Sequence, residues 1–142
     1  MLSLTFKQGQ THIVLNNEDN TYDESRQWCH DNHMDMIMIK TKSDYDEVNN
    51  TLTSESTDTS FQFWIGLKWD TDRDRFYWRD NTVLTWANWC TGGTEPGGMS
   101  SSSGEYNSGE NCVRLDHRQD QSWCFATKRC NTVYKTMCVG CK

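Results

Sequence analysis

The chain has 142 residues, enough for one domain with a sizeable core, and no segment approaches the roughly 18 apolar residues of a membrane span. Its 14 Lys and Arg against 20 Asp and Glu leave a net charge of −6, which disfavours nonspecific binding to nucleic acid or to anionic membranes. Seven cysteines disfavour a reducing cytosol and point to a secreted or extracellular setting, with an odd thiol left over if the others pair internally.

The opening Met1-Leu2-Ser3-Leu4-Thr5-Phe6 lacks the apolar run of a signal peptide, so a mature or excised domain is expected. Thr11 to Leu15 predicts a first strand, and Asn16 to Asn20 a polar turn. Thr21-Tyr22-Asp23-Glu24 is a capping box, with a hydroxyl at the cap and Glu three residues on. It predicts a helix to about Asn32 with Tyr22, Trp28 and Cys29 on or near its inner face. Met34 to Ile39 alternates and then turns apolar, which suits a short extended entry into the core. Ser43 to about Leu52 predicts a second helix, with acids in the first turn and Tyr45, Val48 and Leu52 at helical spacing. Asn49-Asn50-Thr51 within it is an N-glycosylation sequon.

Phe61 to Leu67 is the strongest strand signal, and Phe76-Tyr77-Trp78 predicts the next strand after a charged turn at Asp70 to Asp74. Trp86-Ala87-Asn88-Trp89 follows a turn at Asp80-Asn81. Cys90 to Gly109 then carries six Gly and five Ser and predicts a long irregular surface loop. Glu110 to Leu115, Ser122 to Phe125 and Thr132 to Cys138 read as closing strands. Two helices followed mostly by strands make an α+β domain over residues 1–142, with the long loop at about 90–109.

Taken in order, these elements resemble the C-type lectin-like domain in its short form, from about Thr11 to Val139. Trp64-Ile65-Gly66-Leu67 stands as the family's WIGL strand. Trp86-Ala87-Asn88-Trp89 with Glu95-Pro96 is similar to its W-x-x-W…EP segment. Glu110-Asn111-Cys112-Val113, Trp123, Cys130 and Cys138 match its close. The resemblance implies helices flanking antiparallel sheets, an irregular ligand loop and two disulfides, Cys29–Cys138 and Cys112–Cys130. Cys90 opens the long loop and Cys124 lies on the strand expected beneath it, so these two are expected to pair. Cys141 is left over and is a candidate for an interchain bond in a disulfide-linked dimer.

In sugar-binding members of that family one calcium ion is held by loop and strand oxygens that also bind two sugar hydroxyls, and hard cations need six to eight such oxygens. Glu95 matches the first ligand, Pro96 the proline beside it and Glu110 the acid before the frame cysteine. Gly97 replaces an Asn, and at Trp123-Cys124-Phe125 the Asn-Asp pair is missing. Glu95, Pro96, Glu105, Asn107, Glu110 and Asn111 are the candidate ligand-binding residues, with Glu95 and Glu110 the candidate metal ligands. No cofactor is expected, Ca2+ being the one candidate. Solvated loop acids are the plainer reading of Glu95 and Glu110. Likewise Asp70, Asp72 and Asp74 suit a charged turn better than a calcium loop, and the tryptophans suit a core better than a sugar-stacking set.

No hydrolase or phosphate-binding signature is present. Cys138-Val139-Gly140-Cys141 is a CxxC, but it follows a strand instead of opening the helix that would lower a thiol pKa. Zinc held with Cys124, Cys130 or His117 would require the lectin-like disulfides to break. His30 and His33, three apart, have no motif partner. The expectation is a non-catalytic extracellular module that binds a protein or other ligand without an intact sugar-type calcium site. The alternative is a carbohydrate-binding lectin, calcium-dependent through Glu95 and Glu110 or calcium-free.

Overall fold

A computed structural model describes residues 11–98, 109–119 and 122–141. The elements are β1 (Thr11–Asn20), α1 (Tyr22–Asp31), β2 (Asp35–Met36), α2 (Lys42–Ser54), β3 (Phe63–Asp70), β4 (Arg75–Trp78), β5 (Cys112–Arg118), β6 (Ser122–Lys128) and β7 (Tyr134–Cys141).

Both helices begin at capping boxes. Thr21 and Glu24 close the first; Thr41 and Asp44 close the second, one residue earlier than the acids alone suggest. Helical spacing brings Tyr45, Val48 and Leu52 onto the buried face of α2. The Tyr45 hydroxyl donates to the Trp123 carbonyl at 2.6 Å, tying α2 to β6.

The sheet runs β1-β7-β3-β5-β6, with β2 added to β7 and β4 to β3. It is mixed: β3 and β7 pair in parallel, and the other ladders are antiparallel. β3 lies at its centre, so Phe63 to Leu67 are buried on both faces and the apolar run does not alternate. A side chain at Gly66 would put Cβ 2.9 Å from Arg79 Cγ and 3.1 Å from the Ile37 carbonyl, so only glycine lets those chains approach.

Residues 16–20 depart from the expected turn. The strand continues to Asn20 through a bulge, because Asn16 and Asn20 oppose Thr136 and Tyr134. The Asn20 carbonyl then accepts the Trp64 indole N–H at 3.0 Å.

Two cores result. The larger packs α2 against β3 to β6 around Ile65, Leu67, Leu115 and Phe125. The second sits beneath α1, where Tyr22 and Trp64 meet Cys29, Cys112, Cys130 and Cys138. Three disulfides join Cys29–Cys138, Cys112–Cys130 and Cys90–Cys124. Trp64, Trp78 and Trp123 are buried, while Trp86 and Trp89 are half-buried against the larger core.

Candidate functional site at the base of the long loop

β6 ends the sheet path, so its outer edge offers unpaired amides and carbonyls. The segment entering the long loop covers it. The Phe125 N–H donates to the Asn88 carbonyl at 2.7 Å, and the Cys90 N–H donates to the Phe125 carbonyl at 2.9 Å. The Cys90–Cys124 bond fixes this segment to the strand.

Two residues further along β6, the Thr127 amide faces the same edge. Among the described residues no backbone carbonyl meets it there; the Glu95 carboxylate does. Glu95 Oε1 accepts the Thr127 N–H and the Thr127 hydroxyl, each at 2.9 Å. Glu95 Oε2 accepts from Arg118 Nη2 at 3.3 Å, and Arg118 Nε donates to Asp116 at 3.0 Å. The Glu95 side chain is 12 % exposed, so this charge pair is partly shielded from solvent screening. The Glu95–Pro96 peptide bond is cis.

The Thr127 hydroxyl also lies 3.2 Å from Glu110 Oε1 and accepts the Gly97 N–H at 2.7 Å. The Glu110 N–H donates to the Gly98 carbonyl at 2.8 Å, closing the loop's two ends on each other. A side chain at position 97 would collide with Glu110 Oε1, so the carboxylate fills the space an Asn there would need. Asn111 is buried, and its carbonyl accepts the Trp69 N–H at 2.7 Å.

Glu95, Pro96 and Glu110 are therefore gathered at one place, while Asn111, next in the chain, bonds to Trp69 on β3. Glu105, Asn107 and the thiol of Cys141 fall outside the described residues. Three participants were not anticipated: Thr127, Arg118 and Asp116. The strand position that meets the two acids is Thr127, not Cys124 or Phe125. Cys124 is held in its disulfide, and Phe125 is buried among Trp78, Trp86 and Trp89. Counting back from Cys130 along an alternating strand puts Thr127 on the side of Phe125 and would have found it.

Calcium needs six to eight oxygens. Here two carboxylates converge on one hydroxyl, Gly97 adds no side-chain oxygen, and a guanidinium already lies on Glu95. This donor set does not fit the cage that the resemblance implies. Among the described residues no group of three or more His, Cys, Asp or Glu stands ready to hold a metal.

Elsewhere, Asp70 builds the β3–β4 turn. Its carboxylate accepts the Asp72 and Arg73 amides at 2.9 and 3.0 Å and pairs with the Arg73 guanidinium. Cys138 is bonded to Cys29, so the CxxC is not a dithiol, and Cys124 and Cys130 are likewise committed. Asn49 lies within α2, and its side-chain oxygen accepts from the Ser122 hydroxyl at 3.2 Å.

Residues 18–140 match the Lectin C-type domain, and the chain belongs to that family. It is 24 % identical over 104 residues to the mouse C-type mannose receptor 2, covering 73 % of this chain and 6 % of the receptor; the chain thus spans a small fraction of that relative's length. Among solved structures it resembles the C-type lectin domain of murine dendritic cell inhibitory receptor 2 in complex with N-glycan. That likeness has a TM-score of 0.70 and 18 % identity, with 94 % and 93 % of the two chains covered. It also resembles the Ca2+-independent C-type lectin SPL-2 from Saxidomus purpuratus. There the TM-score is 0.70 and the identity 15 %, with 92 % and 86 % of the chains covered. At these identities the structural likenesses speak for the fold.

Proposed function

We propose that this chain is a non-catalytic, extracellular ligand-binding module whose loop face recognises a protein or other ligand without calcium. The observation that carries the reading is the state of Glu95. Both its oxygens are committed inside the protein, one to Thr127 and one to Arg118. A metal would have to displace a guanidinium and two hydrogen bonds, and Glu110 is the further carboxylate that meets Thr127 among the described residues. The covalent frame of three disulfides supports an oxidising, extracellular location. Cys141 would then be available to link two copies, and Asn49 to carry a glycan added before α2 packs on Ser122.

A carbohydrate-binding lectin is the second reading, favoured by the gathering of Glu95, Pro96 and Glu110 at the loop base. A glycan array and a panel of immobilised extracellular proteins, each probed in calcium and in chelator, separate the two. Protein binding that survives the chelator is the expected result. Glycan binding that appears only with calcium would overturn the proposal.

A further inference from the structure

The 12 described Lys and Arg side chains divide evenly. Lys40, Lys42, Arg73, Arg114, Arg118 and Lys135 stand in ion pairs. Arg26, Lys68, Arg75, Arg79, Lys128 and Arg129 have no ion-pair partner among the described residues. In a chain of net charge −6 with acids to spare, those six are the anomaly.

Three of them surround one side chain. The stem of Arg79 crosses Gly66 and carries its guanidinium to the Tyr22 hydroxyl. Lys68 Nζ stands 5.9 Å from the Tyr22 ring centroid. Arg26, one turn along α1, also acts on Tyr22. Lys128 joins them: Lys68 and Lys128 both oppose Cys112, on either side of it, so they share one face of the sheet roughly 10 Å apart at the backbone. Arg129 follows, exposed, beside the Cys130 whose carbonyl holds the Tyr22 N–H.

The group has little internal neutralisation. Tyr22 is fully buried, and its hydroxyl makes no well-formed hydrogen bond although Arg79 stands beside it. Burial pushes the phenol's pKa up, so it stays neutral and offers no anion. Asp23 is the acid beside Tyr22, and Glu110 lies at the loop base against Thr127. Arg26, Lys68, Arg79 and Lys128 outnumber Asp23, and that excess of positive charge is what an external polyanion would relieve.

We propose that Arg26, Lys68, Arg79 and Lys128 form a docking surface for a sulfated polysaccharide. Charge complementarity requires an anion. The spread of the cations across α1, β6 and the β3–β4 hairpin favours an extended chain of anions over a single small one. The disulfide frame places the surface where sulfated polysaccharides, not intracellular polyanions, are met. Successive strand residues face opposite sides, so Lys128 lies on the face opposite Thr127 and this surface is separate from the Glu95 contacts.

Heparin, heparin stripped of its sulfates, and poly-glutamate are the probes, each immobilised and washed with rising salt in the presence of chelator. The intact chain should be retained on heparin beyond about 0.15 M salt and be released early from the other two. Lys128→Ala, Lys68→Ala and Arg26→Ala should each weaken binding roughly threefold, the worth of an exposed charge contact. The pair K68E and K128E should abolish retention, and Lys42→Ala on α2 should change nothing. Arg79→Ala removes packing on Gly66 as well as charge, so the Lys128 variant, with an unchanged melting temperature, is the deciding one. Equal retention of that variant, equal loss in Lys42→Ala, no retention at all, or equal binding to poly-glutamate would each overturn the proposal. Because chelator is present throughout, the outcome is read separately from that of the loop face.

Discussion

The core beneath α1 and the base of the long loop are each pinned by disulfides, yet they are held by different forces. Beneath α1, two disulfides lie among Tyr22, Trp64 and Met36, all at most 2 % exposed, and edge-on aromatic pairs set Trp64 against Tyr22 and Tyr134. At the loop base the contacts are polar: the Glu95 and Glu110 carboxylates, the Thr127 hydroxyl, the Arg118 guanidinium and a strand edge that needed a partner. Apolar burial is diffuse and cooperative, so the first region fails with the whole fold. Directed hydrogen bonds are local, so the second can be loosened while the fold stands.

The two regions differ most in their covalent links. Replacing Cys29 and Cys138 by Ser opens a closure of 109 residues and should cost about 4–5 kcal/mol in urea unfolding. Removing Cys90 and Cys124, 34 residues apart, should cost less, about 3–4 kcal/mol, and expose the segment entering the loop to protease first. Equal protease patterns for the two variants would mean that the regions are not distinct.

Trp64→Ala should cost about 3–5 kcal/mol, since it empties a fully buried site that no neighbour can fill. Glu95→Ala should cost about 1–3 kcal/mol, because it strands the Thr127 amide at a strand edge. Its distinguishing readout is hydrogen exchange: the Thr127 amide should lose protection while Trp64 and its neighbours keep theirs. Uniform loss across β3 would contradict the local reading.

The smallest effect concerns pH. The Arg73 amide and guanidinium, with the Asp72 amide, hold the Asp70 carboxyl below its ordinary range. A carboxyl whose pKa is lowered by folding adds stability above the unfolded value, and that stability is lost as pH falls through the folded value. Melting temperature should therefore drop below about pH 4, and Asp70→Asn should flatten that drop. An unchanged acid slope in the variant would rule Asp70 out as a contributor.

Much of the fold was legible because it is written locally. Thr21 and Glu24 announce α1, and Phe63 to Leu67 announces the central strand by an apolar run too long to alternate at a surface. The polar stretch Asn16 to Asn20 misled because its strand is kept by a bulge and by the distant Trp64, neither visible in a turn-like sequence. At the site, Glu95, Pro96 and Glu110 were found by motif, but what they do was not. Arg118 is 23 residues from Glu95 in sequence, and Thr127 is 32. Their contact depends on which edge of β6 the loop covers, a fact of topology. The unpaired cations Arg26, Lys68, Arg79 and Lys128 likewise form no run in the chain, and the net charge hides them.

Glu95 already has its cation in Arg118 and its donors in Thr127. Melting temperature measured in millimolar calcium and again in excess chelator tests it most directly, because any ion that binds the folded chain raises it. Identical values are predicted, with Glu95→Gln equally indifferent to calcium. A calcium-dependent rise that disappears in Glu95→Gln would show that the ion displaces Arg118, and would contradict the account.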